Sequence, residues 1–146
     1  LEGARLGPLS APPRIWAVQA EGCAPFDRAW RGLLSDGSVD ARLTDAEARA
    51  NELMVAWDGP TSAASGILDD VTYDWLGVSR ALLMTGGGSI VAAEQDVLDA
   101  HSLIVKAGFD ADHTGSAGYA GLIAARRSGA LARTDAAAVL VTGVQR

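Results

Sequence analysis

Short, almost uninterrupted apolar runs, each tied to a glycine-bearing loop and a stretch of helical periodicity, constrain this chain more than any other feature. Ile15 to Val18 in "PPRIWAVQA" is the first, opened by a proline pair. Ser89 to Ala92 in "TGGGSIVAA" is the second and "AAAVLVTG" the last, while "FDADH" from Phe109, though not apolar, reads as a further short strand between them. A strand that is apolar on both faces has to be covered on both, as in a parallel sheet with helices above and below. The order predicts an α/β fold, a three-layer, open, mostly parallel sheet with helices on both faces. Ligands of such sheets sit at the carboxyl ends of the strands. Those ends carry Gln19 to Gly22, His113 to Ser116, and Thr142 with Gly143.

The helices read from spacing and punctuation. "APFDRAWRGLL" begins near Pro25 and sets Phe26, Ala29, Trp30, Leu33 and Leu34 at helical intervals. Residues 44 to 57 open with Thr44 and have Glu47 three positions on, the spacing of a capping box. Asp58 to Gly66 is a small, polar loop, and helix returns from Trp75 to Met84. Glu94 to Lys106 gathers Val97, Leu98, Leu103, Ile104 and Val105 on a broad apolar face and stops at Gly108. "SAGYAGLIAARRSG" is the last helix, with Gly129 beyond its end. One α/β domain over residues 1–146 is the expectation.

Composition removes several classes of function. A net charge of −6 leaves no basic stripe to exchange for counterions, so no nucleic-acid partner is expected. No apolar run approaches the roughly 20 residues of a membrane span, and the first residues lack the pattern of a signal peptide, so a cytoplasmic protein without membrane contact is expected. Cys23 is the only cysteine, and His101 and His113 are far apart in sequence, so neither a disulfide nor a metal site is expected. Lys106 is the only lysine; the other eleven basic residues among the 12 Lys and Arg are arginines.

"DADHTGSAGYAGLIAAR" raises the sharpest question. Gly115, Gly118 and Gly121 recur every third residue where a helix begins, although each costs roughly 1 kcal/mol against alanine there. Glycine admits a close neighbour, which can be a flat ligand or simply a strand packed on the helix. Thr114 and Ser116 add hydroxyls at the helix N-terminus, suited to an anion or to capping their own helix. "MTGGGSI" lacks the lysine and hydroxyl residue of a phosphate loop and reads as a tight turn. Asp69, Asp70, Asp74, Glu94 and Asp96 match no cation loop; Asp69 and Asp70 are weak general-acid candidates, and Tyr73 and Trp75 candidates to border a pocket.

Taken in order, "PRIWAVQAEGCAP", "PTSAASGILDD", "HTGSAGYAGL" and "VLVTG" resemble the C-terminal half of the large domain of fold-type II, tryptophan synthase β-like, pyridoxal-phosphate enzymes, and threonine synthase most. The resemblance runs through nearly all of the chain. It implies that Thr142, with Gly143 after it, faces the pyridine nitrogen of pyridoxal 5'-phosphate. Ser116, with Gly115 and Thr114, matches the segment whose serine has that task in the cysteine-synthase branch. Ser65 and Gly66 match the backbone that passes the cofactor ring, and Gly115 and Gly118 would keep that wall low.

The same resemblance puts the Schiff-base lysine and the glycine-rich phosphate loop upstream of the segment similar to "LEGARLGPLS", and a continuation rich in glycine and lysine after "TG". It therefore implies elimination or replacement chemistry at the side chain of a small amino-acid substrate, with no catalytic residue in this chain and no activity from it alone. The expected partner is the missing N-terminal half or a second chain supplying it, within a homodimer. Two other readings of the residues stand beside this one: a non-catalytic α/β interaction module, and a small protein that binds a phosphate ligand through its glycine turns.

Overall fold

A computed structural model describes residues 11–144. The segment "LEGARLGPLS", residues 1–10, lies outside the described residues. The elements are β1 (Trp16–Ala20), α1 (Pro25–Arg31), α2 (Val39–Ala48), α3 (Ala50–Leu53), a 3-10 turn at Ser65–Ile67, α4 (Trp75–Thr85), β2 (Gly88–Ala92), α5 (Glu94–Lys106) and α6 (His113–Ser128). No helix among the described residues is long and apolar enough to cross a membrane.

β1 and β2 pair in parallel, from Trp16 opposite Gly88 to Ala20 opposite Ala92. Successive side chains of a strand point to opposite faces. Ala17 accordingly packs with Phe26, Ala29 and Leu82 of α1 and α4, while Val18 packs with Ala117 and Ala120 of α6 and with Val97 of α5. Helices thus cover both faces of the parallel pair, the three-layer arrangement expected. Phe26 is 2% exposed and Leu82 fully buried. Burial of side chains of this size contributes about 1.5–3 kcal/mol each, which fixes α1 and α4 to the sheet.

The local signals explain most boundaries. Pro25 opens α1, where a missing N–H costs nothing. Gly86 ends α4 at φ +67°, a conformation that favours glycine, and the backbone at Gly87 lies against the carbonyl of Ile15, so "MTGGGSI" is the tight turn that feeds β2. Gly129 ends α6 in the same way at φ +79°.

Three expectations are corrected. The helix assigned to 44–57 is instead α2, whose N-cap is Ser38, accepting from the Ala41 N–H at 3.2 Å, so Thr44 lies inside it. The helix breaks at Arg49, whose guanidinium bridges Asp45 and Glu52 across the break. Residues 109–112 form no strand, because Asp112 caps α6 and the helix begins at His113, earlier than expected. Residues 136–144 form no strand ladder either: they lie along α6, and among the described residues no backbone hydrogen bond ties them to a neighbour.

Candidate functional site

The first turn of α6 is where the sequence candidates converge. Asp112 accepts from the Gly115 N–H at 2.6 Å, so neither Thr114 nor Ser116 is the N-cap. Ser116 is fully buried, and its hydroxyl donates to the carbonyls of Asp112 and His113 at 2.9 and 3.2 Å. That hydroxyl is spent on its own helix. Thr114 points the other way: its Oγ1 accepts from the Gly66 N–H at 2.9 Å and joins α6 to the turn that holds Ser65.

That turn is held at a second point. Ser62 donates to Glu94 at 2.7 Å, and the Ala63 N–H donates to the other carboxylate oxygen at 2.7 Å. Glu94, weighed in the sequence as a cation ligand, thus anchors the "SAASG" loop to the first turn of α5. The reach of 32 residues between Ser62 and Glu94 leaves no local signal in sequence.

The glycine stripe is explained by close approach of the chain to itself. A Cβ on Gly115 would collide with the backbone of Gly143, one on Gly118 would lie 3.1 Å from Val139 and 3.2 Å from the Leu140 carbonyl, and one on Gly121 would collide with Val18 of β1. Gly121 is helix-on-sheet packing. Gly115 and Gly118 let residues 139–143 lie directly on the helix.

Between β1 and residues 136–142, with α6 as its floor, runs a cleft of about 630 Å³. Thr114 and Thr142 line it together with Trp16, Val18, Ile67 and Gly118. Ser65, Gly66, Gly115, Ser116 and Gly143 do not line it; they hold the residues that do. Two of the four expected hydroxyls, Thr114 and Thr142, therefore share one cleft; Ser116 stands behind the wall and Ser65 sits in the turn that Thr114 holds.

Other candidates fall elsewhere. Lys106 is exposed at the end of α5 and outside the cleft. Trp75 is a core residue at 6% exposure and Tyr73 stands in solvent at 86%, so they do not border a common pocket. Asp69 and Asp70 are exposed. Cys23 is fully buried and donates to the Asp69 carbonyl at 3.3 Å. Burial, and after it the charges of Asp69 and Asp70, push its thiol above the ordinary range, which disfavours the thiolate a nucleophile needs.

One pairing escaped the sequence. His101 of α5 and His113 of α6 stack with ring centroids 4.0 Å apart, and the Nε2 of His101 is buried without a partner among the described residues. Packing α5 on α6 produces it. Among the described residues, no cluster of three or more histidine, cysteine or acidic side chains gathers for a metal ion.

No protein-family model and no curated protein matches the chain. Its fold is similar to that of a solved structure of maize serine racemase, with a TM-score of 0.53 at 14% sequence identity. The likeness covers 80% of this chain but 30% of the serine racemase chain, so the chain spans less than a third of that structure. At this identity the likeness is one of fold: a partial α/β layer structure of the same kind, in which helices flank a parallel sheet.

Proposed function

We propose that this chain is the C-terminal part of the large domain of a pyridoxal-phosphate-dependent lyase or synthase of the threonine synthase kind, and that Thr142 meets the ring nitrogen of the cofactor. The observation that carries the reading is the convergence of Thr114 and Thr142 on one cleft over the glycine-bearing start of α6. Gly115 and Gly118 take part indirectly, by letting residues 139–143 lie low enough to present Thr142. When bound, the cofactor supplies an electron sink for elimination or replacement at an amino-acid side chain, and a neutral hydroxyl at its ring nitrogen moderates that sink.

The residues present fit one end of the cofactor. The cleft offers a hydroxyl and an apolar wall to a flat ring. It offers no amine, since Lys106 lies outside it, and Asp112 already sits on the helix N-terminus that a phosphate would need. The imine-forming lysine and the phosphate site therefore come from polypeptide outside residues 11–144, and the chain alone is silent. The carboxylate of Asp112 also argues against the reading as a free-standing phosphate binder.

Incubation with pyridoxal phosphate, borohydride reduction and intact-mass measurement tests this. No specific adduct is expected, while weak quenching of tryptophan emission through Trp16 is expected and is lessened by Thr142→Val. A specific adduct on Lys106, or turnover of O-phosphohomoserine or serine by this chain alone, overturns the proposal.

A further inference from the structure

The apolar residues of α5 divide between two sides of the helix. Val97, Ala100 and Ile104 are buried, the first two in one cluster with Ala117 and Ala120 of α6. Leu98 and Val105 are instead 40% and 44% exposed, and Ser102 stands in solvent between them. Spacings of four and then three residues keep these three on one line along the helix, turned away from α6. Leu103, also exposed, widens the line on one flank, and exposed Phe109 follows the helix end at Gly108. A lone exposed leucine is ordinary, but apolar residues aligned in a helical seam mark a contact surface.

The flank that holds Leu103 also carries two opposite charges. Asp99 and Lys106 are both exposed, and among the described residues neither forms an ion pair. The side-chain amide of Gln95 donates to the Asp99 carboxylate at 2.9 Å and holds it in place. Seven residues, or two helical turns, separate Asp99 from Lys106, and seven separate Leu98 from Val105. A second α5 laid antiparallel about a two-fold axis near Ser102 therefore sets Leu98 against the partner's Val105 and Asp99 against the partner's Lys106, each twice over. Parallel pairing sets like charges together and is opposed.

We infer that the outer face of α5 is self-complementary and docks a second copy of this chain, antiparallel, with Ser102 small enough at the crossing for the helices to approach. An anionic lipid surface is the poorer occupant, because Lys106 is the only lysine of a chain with net charge −6 and α5 carries no arginine. The 13 residues of α5 span about 20 Å, so the contact is smaller than a standard interface and the dimer weak, with a Kd on the order of 0.1 mM. The inference rests on nothing at the cleft, whose lining includes no residue of α5.

Sedimentation equilibrium of the full chain, without pyridoxal phosphate, tests this. The parent chain passes from monomer to dimer as its concentration rises from about 10 μM to about 1 mM. Leu98→Glu, at an exposed position, keeps its circular dichroism and stays monomeric. Lys106→Asp opposes two pairs of aspartates and weakens the dimer roughly tenfold or more, and adding Asp99→Lys restores the attraction with its sense reversed. Ser102→Cys in a Cys23→Ala background gives a disulfide-linked dimer under mild oxidation, whereas Ser35→Cys, exposed elsewhere, does not. A chain still monomeric at 1 mM overturns the inference, and the face then serves a partner other than a second copy. A dimer indifferent to Leu98→Glu overturns it too, because the copies then meet elsewhere, and failure of Asp99→Lys to rescue Lys106→Asp overturns the antiparallel register. No variant here touches the cleft, so failure leaves the cofactor reading standing, and a failed cofactor test leaves this one.

Discussion

Thr114 and Gly66, 48 residues apart, are joined by a hydrogen bond from the Gly66 N–H to the threonine Oγ1 at 2.9 Å. This bond fixes the "SAASG" turn to the start of α6, and with it the mouth of the cleft. A Cβ on Gly66 would come within 2.9 Å of that threonine side chain, so the loop approaches closely as well as bonding. Thr114→Val keeps the shape and leaves the Gly66 N–H without its acceptor. The expected loss is about 1 kcal/mol in urea unfolding, and Thr114→Ser retains most of it. Equal stability of the valine and serine variants would show that the bond holds nothing.

Gly121 sets two effects against each other. Alanine gains roughly 1 kcal/mol of helix propensity over glycine, but here the added methyl lands on Val18. Overpacking of this kind costs about 1–3 kcal/mol, so steric conflict wins. Gly121→Ala is expected to lower the unfolding midpoint, and combining it with Val18→Ala to restore part of the loss, which a double-mutant cycle measures.

The layer order was legible in the sequence because its signals are local. Pro25, Gly86 and Gly129 mark their helix ends by backbone geometry, and the apolar face of Glu94 to Lys106 needs only helical spacing. What was not legible depends on long-range partners. "AAAVLVTG" has the composition of a strand, but strand structure requires a paired neighbour, and residues 136–144 have none among the described residues. The site divides in the same way. Hydroxyls at Thr114 and Ser116 were visible, yet only packing shows that Ser116 turns into its own helix while Thr114 reaches Gly66.

Cys23 gives a pH dependence of known sign. Its folded thiol titrates above the ordinary value because burial and the charges of Asp69 and Asp70 disfavour the thiolate. Below the unfolded value, near 8.5, both states hold the proton and the stabilisation is complete. As pH rises past it the unfolded chain releases its proton first, so stability falls until the folded thiol titrates too. Urea midpoints between pH 7.5 and 10 should decline in the parent chain and decline less in Cys23→Ala. Alkylation by iodoacetamide at pH 8 should require unfolding; rapid labelling of the native chain would contradict the burial.

Asp112 does two things at the head of α6. It caps the helix through the Gly115 N–H at 2.6 Å, and its carboxylate stands against Gly143, where a Cβ would strike it. Asp112→Ala removes the cap and should cost about 1 kcal/mol. It also uncovers N–H groups at the positive end of the helix dipole, which then accept an anion. Inorganic phosphate is accordingly expected to raise the melting midpoint of Asp112→Ala and to leave that of the parent chain nearly unchanged at equal ionic strength. If phosphate stabilises the parent chain as much as the variant, the anion binds elsewhere than at this helix start, and the phosphate-binding reading of the fold regains its claim.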